Sequence, residues 1–264
     1  MEARQLAQRL AKRADLAVTL SLAGRTTTPA FQPVPVRIGG FGGAQGLADY
    51  LLDHKVDVLI DATHPYAATI SANAAAAAAR AGAALLALRR PGWTLAAGDR
   101  WIEVGDAAGA VQALGDTPRR VFLALGRKEI APFEHAPQHS YLVRSVEPIV
   151  PPLKVPRAVY ITGRGPFAEA DERTLLGQHG IEVVVAKNSG GPATYGKIAA
   201  ARALSLPVIM LRRPSLHPPY PPPHPLPNPP PLAGEGREGE AVETVEDAVA
   251  WLDHRLALAT ARGV

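Results

Sequence analysis

Short runs of β-branched or leucine-rich residues recur along the chain, at 18–22, 56–60, 85–88, 121–125, 159–162, 181–185 and 208–211. Between them lie stretches at 2–13, 45–54, 67–81, 167–178 and 194–203 whose apolar positions return at helical spacing. The first pattern predicts short buried strands and the second predicts helices packed on them. Strand and helix alternating in this way is the rhythm of an α/β fold with parallel sheets. A last helix is expected to open at Thr244, where Asp247 completes a capping-box pattern, and to run through Trp251 and Leu252.

The turn-forming Gly115-Asp116-Thr117-Pro118 interrupts the rhythm. Two Rossmann-like, doubly wound parallel-sheet domains are therefore expected, one over 1–117 and one over 118–264, with a cleft between them. Folds of this kind take ligands at the carboxyl ends of their strands. One segment departs from the rhythm: eleven of the eighteen residues at 214–231 are proline, and a Gly/Glu-rich run follows to 240. It is neither helix nor central strand. The expectation is a solvated insert over 214–240, read either as a ligand for a proline-binding domain or, preferably, as a low-complexity loop.

With 264 residues, 47% of them hydrophobic, the chain has enough apolar side chains for buried cores. It contains no cysteine, which excludes disulfides, thiolate metal sites and cysteine nucleophiles and allows a reducing compartment. The apolar stretch 67–88 is mostly alanine and is broken by Arg80, so a membrane span is not expected. Residues 1–13 lack the apolar run of a signal peptide, and a cytoplasmic protein fits best. The formal net charge is +4. The basic residues stand singly among glycines and prolines, which suits a polyanionic partner better than a nucleic-acid surface.

The candidate chemistry lies where strands end. After the run at 56–60 comes Asp61-Ala62-Thr63-His64-Pro65-Tyr66 and then a helix, which brings a hydroxyl, an imidazole and helix N-terminal amides to the ligand edge. Asp61 or Thr63 as a simple helix cap, with His64 as a turn residue, is the competing reading. Ser21-Leu22-Ala23-Gly24-Arg25-Thr26 closes the run at 18–22. Nucleotide-binding folds read the adenosine ribose there, and a cation with hydroxyls in place of an acidic residue suits a 2′-phosphate. Arg25 as an ordinary loop arginine stays open. Gly39-Gly40-Phe41-Gly42-Gly43 reads as a phosphate-approaching loop or as a plain turn. In the second half, Gly126-Arg127, Arg144-Ser145-Val146-Glu147-Pro148, Gly163-Arg164-Gly165-Pro166-Phe167 and Lys187-Asn188-Ser189-Gly190-Gly191 each put a cation at a strand end. Together they suggest a site for several carboxylates. Tyr195 and Lys197 follow just inside the next helix.

Apart from Gly126-Arg127, these motifs resemble the precorrin-6A reductase family, with Asp-Ala-Thr-His-Pro and Lys-Asn-Ser-Gly-Gly as the most specific. The likeness spans nearly the whole chain outside the proline-rich segment. It implies NADPH-dependent reduction of a tetrapyrrole-derived macrocycle bearing many carboxylate arms, in cobalamin biosynthesis, with no metal ligand required of the protein. Ser21, Arg25, Gly40, Thr63 and His64 are then candidates for the NADPH side. Arg127, Arg144, Arg164, Lys187, Ser189, Gly190 and Tyr195 are candidates for the substrate side. No proton donor is assigned; His64, Tyr195, Lys197 and water are all open. Reduction of the cobalt-loaded ring and a non-catalytic nucleotide or tetrapyrrole carrier are the alternatives.

The resemblance carries one further expectation. The family leads into Glu-Ala-Arg from a strand and a glycine-rich turn, whereas Glu2-Ala3-Arg4 here opens directly in the first helix. Without that strand the 264-residue chain is expected to fold poorly and hold NADPH weakly, and a start codon further upstream is expected.

Overall fold

The computed structural model describes residues 2–24, 31–214 and 241–261. In chain order the elements are α1 (Glu2–Leu10), β1 (Leu20–Leu22), β2 (Val36–Ile38), α2 (Ala44–Asp53), β3 (Val58–Asp61), α3 (Ala68–Ala81) and β4 (Ala84–Leu88). Then come β5 (Trp101–Val104), α4 (Ala107–Leu114), β6 (Arg120–Ala124), β7 (Ser140–Ser145), β8 (Ala158–Thr162), α5 (Glu169–Gln178), β9 (Val183–Lys187), α6 (Gly196–Ala203) and β10 (Val208–Leu211). β11 (Ala241–Val242) and α7 (Val245–Ala261) close the chain. Arg25, the proposed 2′-phosphate reader, and residues 215–240 of the proline-rich segment lie outside the described residues.

The chain forms two compact units, residues 1–90 with 215–264, and residues 91–214. This corrects the boundary expected at 117/118. β5 pairs in parallel with β10, and α4 packs on both, so residues 91–117 belong to the second unit. At the other end β11 pairs with β4 and α7 packs on α1, which returns the C-terminus to the first unit. Neither crossing shows in the apolar pattern, because β5 is an edge strand with its two central residues exposed.

In the first unit β1 pairs with β2, and β3, β4 and β11 form a separate three-stranded sheet in the order β11-β4-β3. All these pairings are parallel. Leu86 and Leu88 of β4 meet Leu6 and Leu10 of α1 and Val245, Ala248 and Leu252 of α7 in one core. A second core joins Leu47, Ala48 and Leu51 of α2 to Ala74 and Ala77 of α3, and the small alanine side chains let these two helices approach closely. The α7 cap forms as the sequence predicts: Thr244 Oγ1 accepts from Asp247 N–H at 3.0 Å and donates to the Asp247 carboxylate at 2.6 Å.

The second unit holds a six-stranded parallel sheet in the order β5-β10-β9-β6-β7-β8. From β6 the chain winds outward through β7 to β8, then returns to the other side of β6 as β9 and continues to β10. The reversal between β6 and β9 is a topological switch point, where the connections leave in opposite directions and open a crevice at the strand carboxyl ends. β6, β9 and β10 are fully or nearly buried apolar runs, as a sheet covered on both faces requires.

Candidate functional site

The switch point brings Gly126-Arg127 after β6 beside Lys187 at the end of β9. Lys187 Nζ lies 2.7 Å from Glu129 Oε1. Arg127 is exposed and makes no hydrogen bond or ion pair with another described residue, so its guanidinium is available to an anion. At the ends of β7 and β8, Arg164 pairs with Glu147 at 2.7 Å, with the two side chains 48% and 36% exposed. Such a solvated pair is worth little and can exchange Glu147 for an incoming carboxylate.

Arg144 corrects the expectation of a substrate-gripping arginine. It is buried, both its terminal nitrogens bond the Glu172 carboxylate, and its guanidinium stacks on Phe167 at 3.9 Å from the ring centroid. Its charge is neutralised inside the protein, and its place is beneath the site. Ser189 is likewise buried, with Oγ 3.2 Å from Thr194 Oγ1. Gly190 is tight, but against its own chain: a Cβ there would lie 2.0 Å from Pro91 O. The closeness that the glycine permits here is to Pro91.

A cleft of about 680 Å³ opens in this unit, walled by Trp93, Phe167, Gly191, Pro192, Tyr195 and Gly196 with Arg202 at its side. Its walls are laced together. Phe167 N–H donates to Ala193 O at 3.0 Å, and a Cβ on Gly196 would come within 2.4 Å of Phe167 O. The Tyr195 hydroxyl bonds Arg202, whose guanidinium also holds the Asp99 carboxylate at 2.8 and 3.2 Å. Tyr195 therefore offers the cleft its ring more than its hydroxyl. Behind the wall, the Lys197 ammonium donates to Thr194 O at 2.6 Å and lies 4.8 Å from the Trp93 ring centroid. Burial first, and then the nearby Arg144 charge, pull its pKa down to about 7 against the opposing effect of Glu172.

In the first unit the Asp61–Tyr66 turn is organised by a residue that the sequence reading passed over. Arg89, just past β4, bonds the Asp61 carboxylate, donates to Ser71 Oγ at 2.6 Å and donates to Thr63 O at 3.1 Å. Thr63 Oγ1 sits 3.3 Å from both Ser71 Oγ and Arg89 Nη1, so its hydroxyl serves the turn. His64 is exposed, with Nδ1 accepting from Tyr66 N–H at 3.3 Å. Neither Asp61 nor Thr63 caps α3, whose N-cap is Ala67 with no side-chain bond. The Ile70 and Ser71 amides donate to Ala67 O at 2.9 and 3.1 Å, which leaves the Ala68 and Thr69 amides of the first turn for other partners.

Gly40 lies in the loop after β2, and Gly39, Gly42 and Gly43 have positive φ. Arg37 donates to Gly39 O at 2.6 Å and Gly40 O at 2.9 Å and stacks 3.6 Å over Phe41. It thus ties down the loop carbonyls. Nothing lies within 4 Å of a Cβ built on any of the four glycines, and α2 begins at this loop without a side-chain cap. An open glycine loop leading into an uncapped helix N-terminus fits a phosphate group. Ser21 is exposed and in register with Arg37 across β1 and β2.

Among the described residues no cluster of His, Cys, Asp or Glu is arranged to hold a metal ion, and no helix is long and apolar enough to cross a membrane. The fold defines an α/β protein with parallel sheets whose candidate sites lie at strand ends. Residues 1–253 match the family described as precorrin-6x reductase CbiJ/CobK, and the chain belongs to that family of oxidoreductases. It is 59% identical over 212 residues to the precorrin-6A reductase of Sinorhizobium sp., covering 80% of this chain and 81% of the relative. It is 43% identical over 255 residues to that of Rhodococcus erythropolis, covering 95% and 93%. A solved structure of CobK precorrin-6A reductase superposes with a TM-score of 0.83 at 44% identity, covering 96% of this chain and 93% of that one. The cobalt-precorrin-6A reductase of Priestia megaterium is 28% identical over 193 residues, covering 69% and 75%.

Proposed function

We propose that this chain catalyses the NADPH-dependent reduction of metal-free precorrin-6A to precorrin-6B in the cytoplasm. The observation that carries the reading is the difference in likeness: 59% identity to a precorrin-6A reductase against 28% to a cobalt-precorrin-6A reductase. NADPH, when bound, supplies a hydride to one carbon of a double bond in the ring.

The residues of the chain bind, orient and neutralise. The Gly39–Gly43 loop with the α2 N-terminus suits the phosphates of the cofactor, backed by Arg37 on the carbonyl side. The α3 amides and the exposed His64 stand at the neighbouring strand end, on a turn that Arg89 keeps rigid. In the second unit Arg127, Arg164 and Lys187 suit the acetate and propionate arms of the ring, which would be held by charge-assisted bonds. Arg144 supports Phe167 from below. Fixing both reactants in this way converts a bimolecular hydride transfer into an oriented one, which is the protein's contribution when a cofactor carries the chemistry.

The test is anaerobic turnover of precorrin-6A and cobalt-precorrin-6A in parallel, followed by loss of reduced nicotinamide absorbance. Faster reduction of the metal-free ring is expected. Reduction of the cobalt-loaded ring alone would reverse the assignment, and binding of both rings without turnover would make the chain a carrier.

A further inference from the structure

Trp93 lies in the irregular stretch between β4 and β5, where no helix or strand holds it. It is nevertheless fixed at three points. Its N–H donates to Asn188 Oδ1 at 2.7 Å, its carbonyl accepts from Asn188 Nδ2 at 2.9 Å, and its indole Nε1–H donates to Gly191 O at 2.9 Å. The Asn188 amide thereby imitates a strand partner and presents the matching donor and acceptor to one residue's backbone. The carbonyl of Asn188 in turn accepts from Arg213 Nε at 2.8 Å, so the amide itself stands on a fixed backbone.

A tryptophan anchored this firmly usually fills a core. This one is half-exposed, and its ring forms a wall of the cleft, 5.7 Å from the Tyr195 ring and inclined to it by 60°. Its single polar hydrogen is already spent on Gly191 O. What remains for a ligand is a rigid apolar face, which suits stacking of a large, flat, conjugated molecule, with the inclined Tyr195 ring bounding it on one side. The charged groups near the wall are Lys197 behind the ring, the Arg202–Asp99 pair beside Tyr195, and the exposed Glu169 at the rim, which directs the carboxylate arms of a ligand away from its own side.

We propose that Trp93 is the platform on which the conjugated face of the tetrapyrrole-derived ring rests, and that Asn188 is the positioning residue that sets the angle of that platform. The inference deepens the reading of the second unit as the substrate side and rests on it. A fixed face restrains where the ring lies while the arginines and lysine select its carboxylates.

The experiment uses the full chain labelled with ¹⁵N at tryptophan, whose three indole N–H signals are assigned with Trp93→Phe. Addition of precorrin-6A without cofactor is expected to move the Trp93 signal and leave those of Trp101 and Trp251 in place. In turnover, Trp93→Leu is expected to raise KM about tenfold or more with a smaller loss of kcat, and Trp93→Phe to recover part of that loss, as truncation of an aromatic contact worth about 1–3 kcal/mol requires. Asn188→Ala is expected to raise KM while the Trp93 signal shifts even without ligand, and Asn188→Asp, which keeps the acceptor, to be milder. An unmoved Trp93 signal at saturating precorrin-6A, in a parent chain that still reduces it, would overturn the proposal even if the Leu variant failed to fold. A parent chain that neither binds nor reduces precorrin-6A would instead overturn the functional reading beneath it.

Discussion

Gly190 stands directly against Pro91: a Cβ on the glycine would lie 2.0 Å from the proline's carbonyl oxygen, at a backbone φ of +67°. Arg213 Nη2 donates to the same oxygen at 2.9 Å. The Lys187–Gly191 loop is thus bound to the segment that carries Trp93. Gly190→Ala meets both a collision with backbone and an unfavourable φ. A loss of about 1–3 kcal/mol or more of stability is expected, together with reduced turnover. Urea unfolding and steady-state kinetics on the same preparation check it. Normal stability with lost turnover would show that the glycine faces a ligand after all.

The Arg144–Glu172 pair is buried and bidentate. Removing one partner leaves a buried charge without its counterion, and Arg144→Met or Glu172→Leu is expected to cost about 3–5 kcal/mol. The double variant Arg144→Met/Glu172→Leu is expected to lose less than either single change. A double-mutant cycle by urea unfolding measures this, and additive losses would contradict the pairing.

Lys197 gives a pH signature. Its folded-state pKa of about 7 lies below the ordinary 10.5, so between these values the unfolded chain binds more protons and stability rises with pH. Below about pH 7 both states hold the proton and the penalty is complete. The stability of Lys197→Met relative to the parent is therefore expected to be greatest near pH 6 and to decline by several kcal/mol towards pH 10. A parent-minus-variant difference that does not change with pH would show that the ammonium is not desolvated.

Cofactor choice is expected to rest on Arg25, which follows β1 by three residues in the sequence, where nucleotide-binding folds that select the unphosphorylated nucleotide carry an acidic residue. Arg25→Ala is expected to weaken NADPH binding about tenfold and leave NADH nearly unchanged, as loss of a charge-assisted phosphate contact requires. Titration with both nucleotides decides it. Equal affinity of the parent for NADPH and NADH would sink the assignment.

The parallel α/β plan was legible in the sequence because buried strands are written as continuous apolar runs: β10 spans 208–211 as expected, and α3 and α7 start within a residue of their predicted positions. The unit boundary was not legible. β5 is an edge strand with half-exposed residues, and the return of α7 to the first unit is a long-range contact that no local pattern records. The strand-end cations were visible as a set, but their individual fates were not. Arg127 and Arg144 look alike in sequence, and only the fold shows one in solvent and the other locked to Glu172, a residue 28 positions away. Arg89 could have been found by the same strand-end reasoning. Trp93 could not, since it lies in a stretch with no periodicity and is placed by Asn188, 95 residues further on.

The most direct test of the central claim is the fate of hydrogen during turnover. With NADPH carrying deuterium in both positions at nicotinamide C4 and ordinary water as solvent, the product is expected to weigh two hydrogens more than precorrin-6A, one of them deuterium and one from solvent, with one NADPH oxidised per ring. Product without deuterium, or oxidation of NADPH that leaves the ring unchanged, would contradict hydride transfer from NADPH to precorrin-6A by this chain.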